Sequence, residues 1–334
     1  MAEVELWQVY KKMLFSRLFE NAVQDLWEKG KISGEMHLGT GEEAIIAGVV
    51  SQLEQGDAIA VDHRGTPPFL LRGIDPVLLL LEFLGHSNGL CAGQGGHMHL
   101  FSKEHLIASS GIVGSSGPAA TGFALALKYK EQKNIAVAFF GEGAINQGMM
   151  LESMNLASVW NLPVLFVCKD NDWAISTDTN DTIGGSLIDR AKGFGIEGYE
   201  VDGKDVESVW KAANEAISKI RNNNRPQFIH AHCVHTEGHF LGDPLLRYQR
   251  NPSLLAEVAE SLKEYPGESL DKILLLFRKI GSQTKKKVDP IIITQKKLKN
   301  DPDRLKKIEE EVSREIEKII NKSLEIFEGG MKNA

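Results

Sequence analysis

The chain has 334 residues, 42% of them hydrophobic and 25% charged, with a formal net charge of −7. That length and apolar content suffice for one large α/β core, and the negative balance argues against nucleic acid as a main partner. No apolar run reaches the ~20 residues that span a bilayer, and the acids in MAEVELWQVYKKM are out of place in a secretory or mitochondrial leader, so a cytoplasmic protein with no membrane partner is expected.

Leu6, Val9, Met13, Phe15, Leu18, Phe19, Val23 and Leu26 recur at helical spacing and predict an amphipathic helix from Glu5 to Lys29, stopped by Gly30. Glycines 34, 39 and 41 make a constrained loop through His37, ahead of a helix from Glu42 to Leu53. Asp57 to Val61 reads as a short strand, and the residues that follow, Asp62-His63-Arg64-Gly65, are polar and cationic. The planar guanidinium of Arg64 can fork onto a diphosphate, or it can be a solvated surface group. A glycine-rich stretch, Leu90 to Leu100, carries His97 and His99; on a strand they would share a face and could bind a metal, whereas a structural loop is the plainer reading. Ser109 to Gly114 then leads into a helix from about Pro118 to Tyr129.

The most informative stretch runs from Asn134 to Thr177. Ile135 to Phe140 is an uninterrupted apolar run, as expected of a parallel strand buried on both faces. Gly141-Glu142-Gly143 breaks it with a sharp turn that lets a ligand approach the backbone. A helix is expected just after Gly143, with Ile145, Met149, Met150, Met154, Ala157 and Trp160 toward the sheet. Val164 to Cys168 is the next strand, ending in Lys169-Asp170-Asn171-Asp172. One strand therefore ends in a carboxylate and its neighbour in a carboxamide, on the edge of a parallel sheet where ligands bind. The helix amides favour a phosphate there, and the hard oxygen donors favour Mg²⁺. The bottom-up reading is a magnesium–diphosphate cradle; the bland alternative is a plain βαβ unit with a glycine turn.

Farther on, Ile183 to Phe194 reads as a polar connector and Tyr199 to Val201 as a strand. Asp205 is a plausible N-cap for a helix to Asn222, followed by a strand from Gln227 to Val234. The alternation of strands and helices predicts an α/β fold with a doubly wound, mostly parallel sheet flanked by helices. A loop from Thr236 to Tyr248 carries His239. Ser253 to Lys287 holds two amphipathic helical patterns, and Asp301 to Phe327 is a charged amphipathic helix, either packed or presenting an interaction surface. The expected organisation is one binding domain over 1–250 and a divergent helical C-terminal region over 251–334. Cys91, Cys168 and Cys233 lie far apart without metal-ligand spacing, as reduced core thiols would.

GEGAINQG, Asn155-Leu-Ala157, Leu162-Pro163 and DNDWAIST together resemble the thiamine diphosphate motif. More closely, they resemble the α subunits of the first component of 2-oxo acid and acetoin dehydrogenases, whose pattern runs G-[DE]-G-A-x-x-[QE]-G, N-x-A, L-P and N-N-x-[YW]-A-I-S-T. The resemblance covers residues 5 to 250 and thins beyond. It implies the diphosphate-binding type of domain, with Mg²⁺ held by Glu142, Asn171 and the backbone carbonyl of Trp173. It implies a cofactor held by His63, Arg64, the amides of Gly143 and Ala144, Lys169, and the backbone at Gly111 and Val113. His37 would face that cofactor, and His239 would sit over the diphosphate and substrate as proton donor and acceptor.

Several positions depart from the family pattern. Glu142 replaces the commoner Asp, as in branched-chain members, and Asp170 replaces the first Asn. His63 stands for a Tyr, Val234-His235 for Tyr-Arg, and Thr66-Pro67-Pro68 for the pyruvate-type Ala-His-Gly, which removes a histidine from a pyruvate-type pocket. The loop Gly238-His239-Phe240 with Gly242-Asp243-Pro244 is most similar to the acetoin version, and its Phe240 replaces a serine.

In the family, a Glu on a separate β subunit activates the cofactor's aminopyrimidine ring, and nothing in this chain resembles that pyrimidine-binding domain. The resemblance thus implies an α₂β₂ enzyme that cleaves a 2-oxo acid, of pyruvate or branched-chain type, or acetoin, and passes the acyl group to a lipoyl domain. Alternatives are a two-subunit carboligase or transketolase-like enzyme without a lipoyl partner, and a non-catalytic regulatory subunit. The intact Gly-Glu-Gly, Asn171 and His239 speak against the last.

Overall fold

The structure is a computed structural model describing residues 1–175, 177–235, 238–242 and 289–331. Its strands are β1 (Ala58–Val61), β2 (Phe101–Ser102), β3 (Ile107–Ser109), β4 (Ala136–Gly141), β5 (Val164–Asp170), β6 (Trp173–Ala174), β7 (Thr177–Asp178), β8 (Glu197–Asp202) and β9 (Gln227–His232). Seven of these form one sheet in the order β2-β3-β1-β4-β5-β9-β8, while β6 and β7 form a small hairpin. Every pairing in the large sheet is parallel except β2 with β3.

Alternation along the strands explains why β4 and the stretch of β5 from Val164 to Cys168 are apolar. Ile59, Val137, Phe139, Leu165, Val167 and Ile229 enter the core on one face. Ala58, Ala136, Phe140, Val164, Phe166 and Phe228 enter a second core on the other. Helices α1 (Glu3–Glu28), α2 (Glu43–Val50), α3 (Thr66–Arg72), α4 (Pro76–Phe83) and α9 (Val206–Asn223) contribute to the first core. Helices α5 (Ser116–Tyr129), α6 (Gly148–Val159) and α8 (Leu187–Gly193) contribute to the second, and α7 (Thr179–Thr182) is a single turn. This is the doubly wound arrangement expected. Asp205 caps α9 as predicted, accepting from the Glu207 amide.

Helices α10 (Pro290–Lys297) and α11 (Pro302–Met331) pack against the N-terminal end of the chain. Val312, Ile316 and Ile319 of α11 are buried in the same core as Val9 and Met13 of α1, so the apolar stripe of this long helix is a packing surface. Arg17 pins the two ends together: it lies 2.5 Å from Glu43 and 2.9 Å from Asp289, whose carboxylate also caps α10. The amphipathic patterns read over 253–287 lie outside the described residues.

Four readings are corrected. No α-helix starts directly after Gly143; a 3-10 turn, Glu142–Asn146, intervenes before α6. That shift moves Met149 and Trp160, 37% and 44% exposed, off the sheet-facing side that Met150, Met154 and Ala157 cover. The connector over 183–194 contains α8, capped by Ser186 and packed through Leu187 and Ala191. Finally, β5 runs on to Asp170 and β9 stops at His232, so Lys169 and Asp170 lie on a strand. Helices α3 and α4 were not anticipated: both carry proline in the first turn, where its missing N–H costs no hydrogen bond.

Candidate active site

A cavity of about 280 Å³ opens at the carboxyl ends of β1, β4 and β5, the edge where a doubly wound sheet binds ligands. Of the residues expected to form a site, His63, Arg64, Val113, Glu142, Gly143, Ala144, Lys169, Asn171, Trp173 and His239 line it. Gly111 lies one residue from the lining Ser110 and Ile112 and packs toward Met98 and His99. His37 stands behind the wall, its ring centroid 4.5 Å from His63 and 5.2 Å from His239.

On the cavity floor, Glu142 is 2% exposed and accepts long hydrogen bonds from the Asn171 amide at 3.3 Å and its side chain at 3.4 Å. Burial first, and the Asp170 carboxylate second, push the Glu142 carboxyl up to about 8. Burial and a like charge thus outweigh its hydrogen bonds and the Arg64 charge, which a bound cation would offset. Asp170 itself is turned away, 2.7 Å from His230. Asp172, at φ +67°, bends the chain into the β6–β7 hairpin that carries Trp173. Gly143 is needed here, because a Cβ would sit 2.7 Å from that of Ala174.

The two cations of the wall are already engaged. Arg64, 3% exposed, donates to the carbonyls of Leu38 and of His239, the latter at 2.6 Å, and lies 4.0 Å from Glu42. Lys169, 1% exposed, reaches Glu42 at 2.7 Å and Asp62 at 3.0 Å. Glu42 also meets His235 at 2.8 Å, which makes it the hub of the site. Sequence reasoning used Glu42 only as a helix start. The one signal available was an acidic pair at the end of a loop whose Gly41 admits no side chain, since a Cβ there would fall 1.7 Å from the Val234 carbonyl oxygen.

Four histidines from separate loops meet on this side. His37 contacts His97 at 3.1 Å, ring to ring, besides His63 and His239. All four are pushed down from the ordinary imidazole range, His37 to about 2, His239 to about 3, and His63 and His97 to about 4. Burial is the largest cause for each, and the Arg64 charge adds to it. They are therefore neutral near pH 7. The buried Nε2 of His63 has no hydrogen-bond partner among the described residues. His97 and His99 lie in turns instead of on a strand: the buried Glu82 carboxylate gathers that loop, accepting the amides of Cys91, Gly93, Gly95 and Gly96 at 2.7, 2.8, 2.6 and 3.2 Å.

A dehydrogenase first component is the class that this fold and cavity suggest. Residues 10–263 match the sequence profile of the family described as dehydrogenase E1 component. The chain is 42% identical over 243 residues to the α subunit of acetoin:2,6-dichlorophenolindophenol oxidoreductase from Bacillus subtilis, covering 72% of this chain and 73% of that one. It is 42% identical over 237 residues to the protein of the same name from Cupriavidus necator, covering 70% and 71%. To the pyruvate dehydrogenase E1 component subunit alpha of Rhizobium meliloti it is 36% identical over 239 residues, covering 71% and 69%. The chain belongs to the dehydrogenase E1 component family of thiamine diphosphate-dependent oxidoreductases.

Proposed function

We propose that this chain is the α subunit of a thiamine diphosphate- and Mg²⁺-dependent dehydrogenase acting on acetoin or a closely related neutral ketone, and that it works in an α₂β₂ assembly. In this reading residues 1–250 form the diphosphate-binding domain and the C-terminal helices buttress it. The observation that carries the proposal is the buried Glu142 beside Asn171 at the ends of adjacent strands β4 and β5, inside a cavity that also gathers Arg64, Lys169 and His239. When bound, thiamine diphosphate would supply the electron sink that lets a carbon–carbon bond beside a carbonyl break.

The residues fit that group. Glu142, Asn171 and the Trp173 carbonyl offer hard oxygens to a Mg²⁺ that completes its shell with phosphate and water. The cation would restore the charge on Glu142 that burial opposes. Amides at Gly143 and Ala144, the orphaned Nε2 of His63 and the fixed charge of Arg64 would receive the diphosphate. Gly111 and Val113 would hold the remainder through backbone groups. His239, which lines the cavity with His37 behind it, would give a proton to a carbonyl oxygen as that carbonyl is attacked and take one from the neighbouring hydroxyl as the carbon–carbon bond breaks.

Substrate charge is the finer question. Arg64 and Lys169 are the only Lys or Arg side chains lining the described cavity, and both are held by protein groups. The nearby histidines are neutral. That arrangement leaves no described cation for a substrate carboxylate and favours a neutral hydroxyketone over a 2-oxo acid. Ile112, Val113 and Ile175, 62%, 51% and 62% exposed, form an apolar rim of this cavity, which suits cover by the pyrimidine-binding domain of a β subunit. The acyl acceptor in this reading is a lipoyl domain.

The test is to express the chain with and without a β subunit and measure acetoin- and pyruvate-dependent dye reduction. Turnover should require both chains and prefer acetoin. A positioned proton-transfer group is worth about 10²–10⁴-fold, so robust turnover by the lone chain would refute the assembly, and preference for pyruvate would refute the neutral substrate.

A further inference from the structure

Outside the cavity, a second cluster of ligating side chains lies on the carboxyl ends of β5, β9 and β8. His230 and His232 are two apart on β9, so their rings share one face of the sheet, with centroids 4.3 Å apart. Asp170 lies opposite His232 on one neighbouring strand, and Glu200 lies opposite His230 on the other. Each ring bridges the two carboxylates. His230 has Nε2 2.7 Å from Asp170 Oδ2 and Nδ1 3.9 Å from Glu200 Oε1. His232 has Nδ1 4.0 Å from Asp170 Oδ2 and Nε2 2.8 Å from Glu200 Oε1.

We propose that Asp170, His230 and His232 form a divalent transition-metal site, of the kind that takes Zn²⁺, which ties β5 to β9 at their carboxyl ends, with Glu200 of β8 holding the outer ring nitrogen of His232. Two imidazoles and one carboxylate, with a position left for water, are a donor set suited to Zn²⁺. Ligand distances near 2.0–2.1 Å place the corners of a tetrahedron about 3.3 Å apart, and Asp170 Oδ2 lies 2.7 Å from His230 Nε2 and 4.0 Å from His232 Nδ1. One ligand atom each from Asp170, His230 and His232 already lie within 4.8 Å of one another.

Charge points the same way. Among the described residues, the ion-pair partners of Asp170 and Glu200 are histidines alone, with no Lys or Arg. Lys204 is held by Asp202 at 2.7 Å, and Lys169 by Glu42 and Asp62. Two carboxylates thus share a half-buried site without a permanent counter-charge, which a divalent cation would supply. Access is open, because the side chains of His232 and Glu200 are 40% and 59% exposed. None of these four residues lines the cavity, although the Asp170 carboxylate is felt by Glu142 on its floor.

The test titrates the purified protein with ZnCl₂ in saturating Mg²⁺ by calorimetry, and with Co²⁺ for its visible ligand-field bands. One equivalent of Zn²⁺ should bind, Co²⁺ should show the intense bands of a four-coordinate site, and His232→Ala and Glu200→Ala should each weaken binding at least tenfold. Both residues are exposed enough for these variants to fold, and Glu142→Ala should change the Zn²⁺ affinity less than either. No stoichiometric Zn²⁺ binding, or binding that ignores His232→Ala and Glu200→Ala but falls in Glu142→Ala, would overturn the site and leave two ordinary histidine–carboxylate pairs.

Discussion

Replacing Lys169 with methionine should damage the protein mainly through stability. The ammonium is buried, 2.7 Å from Glu42 and 3.0 Å from Asp62, and its removal strands two carboxylates in a site from which water is largely excluded. Removing one partner of a buried ion pair costs about 3–5 kcal/mol. For 334 residues, ~2.1 cal/mol/K per residue gives an unfolding entropy near 0.7 kcal/mol/K, so Tm should fall by about 4–7 °C. The effect has a pH signature. Lys169 is held above its ordinary pKa, burial opposing and the two carboxylates more than compensating, so its contribution is fully present below the unfolded value of ~10.4 and constant between about pH 6 and 9. Glu42 is already raised by burial and would rise further without its cation. A carboxyl raised in the folded state destabilises above its unfolded pKa, so the gap between the two proteins should narrow as pH falls from 8 toward 5. Scanning calorimetry at both pH values measures this; a Tm within about 1 °C of the parent at pH 8, or a gap that widens on acidification, would refute the reasoning.

Three other outcomes follow from particular contacts. Glu82→Ala leaves four loop amides without their acceptor and should cost about 2–4 kcal/mol, with hydrogen exchange of residues 91–96 accelerating; unchanged protection there would contradict the role given to Glu82. Gly143→Ala presses a methyl to 2.7 Å from Ala174 and should lower cofactor affinity about tenfold, a cost of ~1.4 kcal/mol, with the circular dichroism spectrum unchanged; parent-like affinity would show that the turn has room. The loop from Gly238 to Arg250 contains no serine or threonine, so mass spectrometry should find no regulatory phosphoserine or phosphothreonine in it, and a Tyr248 phosphate that alters activity would count against a loop free of phosphorylation control.

The parts of the site legible in the sequence are those fixed by local order. β4 and β5 are apolar because both sheet faces are covered, and the residues just past them, Glu142 and Asn171, had to share an edge once the strands were read as parallel. What was not legible depends on distant partners. Lys169 meets Glu42 across 127 residues of sequence, and Arg64 meets His239 across 175, so no spacing rule relates them. The four-histidine assembly draws on loops around 37, 63, 97 and 239 that only the fold brings together. Helices α3 and α4 were hidden by prolines that usually signal breaks, and the onset of α6 by a 3-10 turn that spends Glu142–Asn146 on shaping the floor.

The central claim is that Glu142 and Asn171 hold the divalent cation through which thiamine diphosphate binds. Calorimetric titration of thiamine diphosphate into the assembled protein, with and without Mg²⁺, tests it directly. The parent should bind only with Mg²⁺, and Glu142→Ala should lose affinity by about 100-fold or more, exceeding the ~10–100-fold that loss of an outer-shell partner causes. Metal-independent binding by the parent, or unchanged affinity in Glu142→Ala, would contradict the account.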